Sequence, residues 1–244
     1  MRIFVTAGNT QVSIDRVRCI TNIFTGRTGA SIALEAYRRG HQVTLVTSHP
    51  ETIEVAKREE QRWQCCGYRS FEDLEALMDH YIARLMQDAV VHCAAVSDYR
   101  AAGIFASSPS TRFHADDLTW RDDQKTPALL DRSAGKIKSD EPELWLRLVR
   151  APKLIDKIRK EWNYRGLLVK FKLEVGLSDG ELLAIAEKSR RQSNADWMVA
   201  NTLEGAANWA FLGDARGYKQ VTRANLAGAL LDVLEQQHQE SQRG

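Results

Sequence analysis

Val5-Thr6-Ala7-Gly8-Asn9-Thr10, followed after a long interval by Thr25-Gly26-Arg27-Thr28-Gly29, is the stretch that decides how this chain folds. Arg2 to Thr6 is a short β-branched run that breaks at Ala7-Gly8. From Thr28 to Arg39 the spacing of Ile32, Leu34 and Ala36 predicts a helix closed by Gly40, and Gln42 to Thr47 reads as the next strand. Strand, helix and strand in that order imply a parallel sheet with a right-handed crossover. Gly26 and Gly29 at the helix start permit close backbone approach, and the N–H groups and dipole there favour a phosphate. Tight packing of the helix on the strand is the competing account of the same glycines.

Working outward, Trp63 to Tyr68 reads as a strand, Phe71 to Met86 as a helix carrying Leu74, Leu77, Met78, Tyr81 and Leu85, and Ala89 to Val96 as a nearly continuous buried strand. Periodicity fades from Ala101 to Gly135, where Ser107-Ser108-Pro109-Ser110 and mixed charge suggest a long loop or flap. Leu144 to Val149 is a strand, Pro152 to Trp162 a helix, Gly166 to Phe171 a strand, Glu181 to Asn194 a helix and Trp197 to Ala200 a strand. Trp209 to Leu212 and Tyr218 to Val221 flank turn glycines and are expected to pair as an antiparallel hairpin at the sheet edge. A last helix, Leu226 to Gln236, precedes a polar tail expected to fray. The sum is a single α/β domain over 1–240, a Rossmann-like parallel sheet with helices on both faces and an antiparallel edge extension, and a flap at about 101–140.

Lys plus Arg total 34 against 32 Asp plus Glu, so nothing in the net charge of +2 suggests a nucleic-acid footprint or a membrane-surface patch. No apolar run approaches the roughly 20 residues that span a bilayer, and no charged-then-apolar leader precedes the first strand, so a cytoplasmic protein is expected. Cys19, Cys65, Cys66 and Cys93 form no C-x-x-C pair, and the histidines show no ligand spacing; reduced thiols and no dedicated metal site follow.

Beyond the opening glycines, chemistry points to three places. Asp15 to Asn22 puts charges around a short apolar stretch ending in Asn22, whose amide suits a reacting carbonyl, although alone it reads first as a turn former. Ala94 and Ala95 end the buried strand, where open parallel sheets bind ligands, and Asp98 beyond them is placed to hold a hydroxyl or Mg²⁺, or only to cap its loop. Lys136-Ile137-Lys138, if extended, projects both lysines from one face as a polyphosphate clamp; a solvated charge run is the alternative.

Together these motifs resemble phosphopantothenoylcysteine synthetase, the phosphopantothenate–cysteine ligase of coenzyme A synthesis, in its monofunctional form. The resemblance rests on Val5 to Thr10, Ile14-Asp15 through Thr21-Asn22, Thr25 to Gly29, Ala94 to Tyr99, Lys136 to Lys138, Pro152, Phe171 and Val199-Ala200-Asn201, in family order over nearly the whole chain. It implies a ligase that joins 4′-phosphopantothenate to cysteine through an acyl-nucleotidylate, with CTP favoured over ATP as co-substrate and Mg²⁺ carried by the nucleotide. It further implies that Asn22 and Lys136 are catalytic, that Arg18, Asn22, Ala94 and Ala95 meet the substrate, and that the protein is a homodimer. Nucleotide contacts would come from Gly8, Thr25, Gly26 and Gly29 in the opening loop, then Asp98, Lys136, Lys138 and Pro152, and finally Phe171 and Lys188. Gln192 stands where a second nucleotide-contacting lysine is expected. Two rival classes remain. A short-chain-type NAD(P)-dependent oxidoreductase would need a tyrosine followed four residues later by lysine, and none of the 6 tyrosines has one. A non-catalytic nucleotide sensor would bind CTP and release no pyrophosphate.

Overall fold

In a computed structural model, residues 1–53, 61–124, 126–137 and 140–243 are described. Lys138 lies outside them. The elements run β1 (Arg2–Ala7), β2 (Gln11–Ser13), β3 (Cys19–Thr21), α1 (Arg27–Arg38), β4 (Gln42–Thr47), β5 (Trp63–Gly67), α2 (Phe71–Met78) and β6 (Ala89–His92). Then come β7 (Tyr99–Ser107), β8 (Thr111–His114), β9 (Thr119–Asp122), β10 (Leu129–Asp131), β11 (Trp145–Arg150) and α3 (Leu154–Lys160). The chain closes with β12 (Leu167–Glu174), α4 (Asp179–Gln192), β13 (Trp197–Thr202), β14 (Trp209–Asp214), β15 (Gly217–Thr222) and α5 (Leu226–Arg243).

These elements form two compact units, 1–10, 23–96 and 153–244 making the first and 11–22 and 97–152 the second, where one domain over 1–240 was expected. The first unit holds an eight-stranded sheet in the order β15-β14-β13-β12-β6-β1-β4-β5. From β5 to β13 the neighbours are parallel, and β14 and β15 add the expected antiparallel edge. Strand alternation then sorts the side chains onto two faces. Ile3, Val5, Val91, Val169 and Val199 pack with α1 and α5, while Phe4, Val90 and Leu168 pack with α2 and α3. Leu182 and Ala186 of α4 meet Met198 and Ala200 on that second side. Ile32, the fully buried centre of α1, contributes about 1.5–3 kcal/mol by leaving water.

In the second unit, β10-β7-β11 form an antiparallel sheet and β2–β3 and β8–β9 are hairpins. The expected loop at about 101–140 therefore carries most of β7 and all of β8, β9 and β10. Its pattern misled because a small sheet with one exposed side keeps few apolar positions: Ile104, Ala106, Thr111 and Ile137 are its buried residues. Phe113, Trp120 and Trp145 supply an aromatic cluster with ring centroids 4.6–5.2 Å apart.

Three boundaries also differ. The Phe71 helix passes after Met78 into a wider π-helical turn, Asp79–Arg84. β6 stops at His92 because Ala94 gives its N–H to the Thr6 hydroxyl at 3.1 Å rather than to a strand ladder. The tail expected to fray continues α5 to Arg243, held by spaced pairs such as Gln236–Glu240 and His238–Gln242.

Candidate active site

Because β1 has β4 on one side and β6 on the other, the sheet diverges there, and the crevice lies beyond the strands' carboxyl ends. In the first unit a cleft of about 650 Å³ opens at that place. Gly8, Thr25 and Gly26 line it from the opening loop, Ala94 and Ala95 from the end of β6, and Phe171 from β12. Six residues singled out in the sequence therefore share one cavity.

Local chemistry builds this arrangement. Gly8 and Gly26 both have positive φ, 85° and 84°, and a Cβ on Gly26 would stand 2.3 Å from the Gly8 nitrogen. The two glycines let the backbones touch. Asn9 fastens the loop's return through Nδ2, which donates to the Phe24 carbonyl at 2.9 Å, and Ala95 N–H donates to Gly8 O at 2.8 Å. Gly29 is different. It is buried, with a virtual Cβ 2.7 Å from the Ala7 Cβ, so it sets how closely α1 lies on β1. The packing account holds for Gly29, while Gly26 faces the cleft.

The electrostatics are one-sided. Arg27, Lys172 and Arg223 line the cleft and, among the described residues, no carboxylate does. No side chain caps α1 and its first turn holds no acid, so the positive end of its dipole faces the cleft without a countercharge of its own. The Cys93 thiol sits at the floor, where burial pushes its pKa up to about 12 despite the opposing pull of Arg223 and the Gly29 N–H. It is inert as a nucleophile near neutral pH. Behind it, His92 is buried on the opposite face beside Thr6, 3.0 Å from its hydroxyl, and burial followed by the charge of Lys170 lowers its pKa to about 4.

Lys188 is exposed on α4 and is not among the residues lining the cleft. Arg18, Asn22, Asp98, Lys136 and Pro152 belong to the second unit. There Asp15 accepts from Nη2 and Nε of Arg18, at 2.7 and 3.1 Å, and from the Ile137 N–H at 3.1 Å. Arg18 in turn donates to the Ile137 carbonyl at 3.1 Å. Hydrogen bonding to Arg18 is the main reason the Asp15 carboxyl is held far below the usual carboxylate range. This knot puts Arg18 beside exposed Lys136 across more than a hundred residues. Asp98 gives its carbonyl to the Ala151 N–H at 2.9 Å, which brings it next to Pro152. Asn22 is half-buried.

The fold and cleft define a class, a Rossmann-like α/β domain with a cationic ligand crevice at its sheet switch point. The chain belongs to the family described as DNA/pantothenate metabolism flavoprotein C-terminal domain, whose model matches residues 1–111 and 128–235. The coenzyme A biosynthesis bifunctional protein CoaBC of Thermococcus kodakarensis is 30% identical over 240 residues, covering 96% of this chain and 51% of that protein. The CoaBC of Escherichia coli K12 is 26% identical over 203 residues, 82% of this chain and 41% of that protein. The chain thus spans about half the length of the curated relatives it matches. The crystal structure of the DNA/pantothenate metabolism flavoprotein from Streptococcus pneumoniae superposes with a TM-score of 0.77 at 27% identity, covering 98% of this chain and 100% of that one. A Cab2 mutant in complex with phosphopantothenate-cysteine shares the fold, with a TM-score of 0.66 at 14% identity over 98% of this chain and 86% of that one. Most of the β8–β9 hairpin falls in 112–127, which the family match leaves out.

Arg223 and Lys172 escaped the sequence reading. Lys172 carried a signal, its place one residue after Phe171 at a strand end. Arg223 had none, since it follows an edge hairpin and is 195 residues from its partner Thr28.

Proposed function

We propose that this chain is a phosphopantothenate–cysteine ligase, joining 4′-phosphopantothenate to cysteine with CTP ahead of ATP as the activating nucleotide. The observation that carries this reading is the shared cleft: the family's motif residues Gly8, Thr25, Gly26, Ala94, Ala95 and Phe171 line one cavity whose charged residues, among those described, are all cations. Such a cavity suits a phosphorylated acid and a nucleoside triphosphate.

In this reading a carboxylate oxygen of phosphopantothenate attacks the α-phosphorus and pyrophosphate leaves. The cysteine amine then attacks the acyl carbon, the nucleoside monophosphate departs, and the amine proton goes to solvent. Activation replaces oxide, a hopeless leaving group, by a phosphate ester. Asn22 would hold the acyl oxygen, Arg18 the substrate, and Lys136 with Lys138 the charge on the phosphates. Asp98, Pro152 and Lys188 are further candidates for nucleotide contact, whereas Gly29, packed on Ala7, would act only by setting how α1 lies on β1. The cleft offers no carboxylate among the described residues, so Mg²⁺ would arrive on the nucleotide's own oxygens, with Asp98 as a candidate ligand, and neutralise the triphosphate. The working protein would be a cytoplasmic homodimer, and the β14–β15 edge is one surface for pairing about a two-fold axis. Among the described residues, no helix is long and apolar enough to cross a membrane.

Pyrophosphate release tests the reading, with each nucleoside triphosphate in turn beside phosphopantothenate and cysteine. CTP should give the highest rate, product should depend on cysteine, and Asn22→Ala and Lys136→Gln should each depress turnover. Absence of pyrophosphate with every nucleotide would overturn it. Sedimentation of the same preparation reads the oligomer.

A further inference from the structure

We propose that Arg223 takes a phosphate group of the ligand bound in the first unit's cleft; the identity of that ligand rests on the ligase reading. Position comes first. Arg223 follows β15, its backbone N–H is fixed to the Asn208 carbonyl at 2.7 Å, and its guanidinium donates to the Thr28 hydroxyl in the first turn of α1. That bond aims the group at the cleft, of which Arg223 is a lining residue.

Charge comes next. Among the described residues, Arg223 has a neutral hydroxyl as its side-chain partner and no carboxylate within salt-bridge distance, whereas Lys172 is neutralised by Glu174 at 2.8 Å. Arg27, the third cation, lies exposed at the rim. Arg223 is thus the half-buried cation of the cleft whose charge no carboxylate among the described residues meets. Its influence reaches the floor, where it opposes the effect of burial on Cys93.

Chemistry completes the case. A guanidinium carries five N–H donors in a rigid fork, and one bond to a hydroxyl leaves most of them for an acceptor. Two parallel N–H groups match the oxygens of a phosphate better than any other common ligand group except carboxylate. The phosphate has two sources in this setting, the monoester of phosphopantothenate and the polyphosphate of the nucleotide.

Calorimetric titration of the whole chain and of Arg223→Gln with CTP, inorganic pyrophosphate, 4′-phosphopantothenate and phosphate-free pantothenate separates them. Loss of the fork should weaken the phosphate-bearing probe it holds by about ten- to a hundredfold. Weakening of CTP and pyrophosphate assigns the polyphosphate; weakening of phosphopantothenate without pantothenate assigns the monoester. Arg223→Lys, which keeps the charge and loses the fork, should recover part of the affinity and serves as the measured variant if Arg223→Gln does not fold. Affinities within about twofold of wild type for every probe would overturn the assignment. So would equal weakening of pantothenate and phosphopantothenate with CTP and pyrophosphate unchanged, which marks a fork on the carboxylate or a purely structural Arg223–Thr28 bond, or failure of the wild-type chain to bind any phosphate-bearing probe. Binding without turnover would instead defeat the ligase reading and leave Arg223 in place.

Discussion

Helices α1 and α4 both begin at the carboxyl edge of the same sheet, and they begin in opposite ways. α4 closes its own N-terminus: the Ser178 hydroxyl accepts from the Glu181 N–H, Glu181 accepts from the Ser178 N–H at 3.0 Å, and Asp179 adds an acid to the first turn. α1 starts from left-handed Gly26, with no capping side chain, no first-turn acid, and Arg27 where a cation opposes the helix dipole. One helix end is finished by the chain. The other is left without a capping side chain or first-turn acid, and it is the one that lines the cleft.

The glycine turns allow the sharpest attempt to break this contrast. Gly26→Ala forces a Cβ into the Gly8 backbone as well as into the left-handed region, and should cost about 3 kcal/mol or more, with loss of CTP binding. Gly176, before α4, also has positive φ (67°), but no heavy atom lies within 4 Å of its virtual Cβ, so Gly176→Ala should cost only about 1–2 kcal/mol. Equal losses in a denaturant titration would mean that the Gly8–Gly26 approach is unimportant.

The next effect is a pH response. His92 is held neutral by burial, with a folded pKa of about 4 against 6.5 when unfolded. Its folded value is depressed, so its contribution is complete above pH 6.5 and is lost as pH falls towards 4, about 3 kcal/mol in all. The α4 cap titrates lower, because the Ser178 hydrogen bonds depress the Glu181 pKa below its usual 4.5, so that loss begins only under that value. Stability curves from pH 7.5 to 4 should show the first slope in the wild type and not in His92→Gln. Identical curves would place the ionisation elsewhere.

Removing the α4 cap with Ser178→Ala should cost about 1 kcal/mol and leave ligand affinity unchanged. A fall in CTP affinity would show that the cap itself, and not only Lys188 further along α4, serves the site. The smallest shift in stability carries the most information: Thr28→Glu supplies α1 with its missing acid and should raise stability by about 0.3–1 kcal/mol. The same carboxylate would occupy Arg223 and repel phosphate, so CTP affinity should fall tenfold or more. If affinity holds, α1 is not an anion-binding end.

The parallel sheet, its antiparallel edge and most helix positions were legible because burial imposes strong periodicities: Ala89 to Val91 had to be apolar on both faces, and α1 had to repeat its apolar residues at helical spacing. The second unit was not, since its sheet buries few side chains and its strands are joined by polar turns. In the cleft, Gly8, Thr25, Gly26, Ala94, Ala95 and Phe171 were recognisable as short local motifs. Their roles were not separable until Gly29 proved to face Ala7 and Gly26 to face Gly8. Local sequence determined the βαβ unit and the glycine loop, because backbone preference and side-chain period act over a few residues. Tertiary structure alone decided that Arg223 reaches Thr28 and that the local Asp15–Arg18 pair binds Ile137, because hydrogen bonding between distant segments depends on where the fold brings them and leaves no periodic trace along the chain.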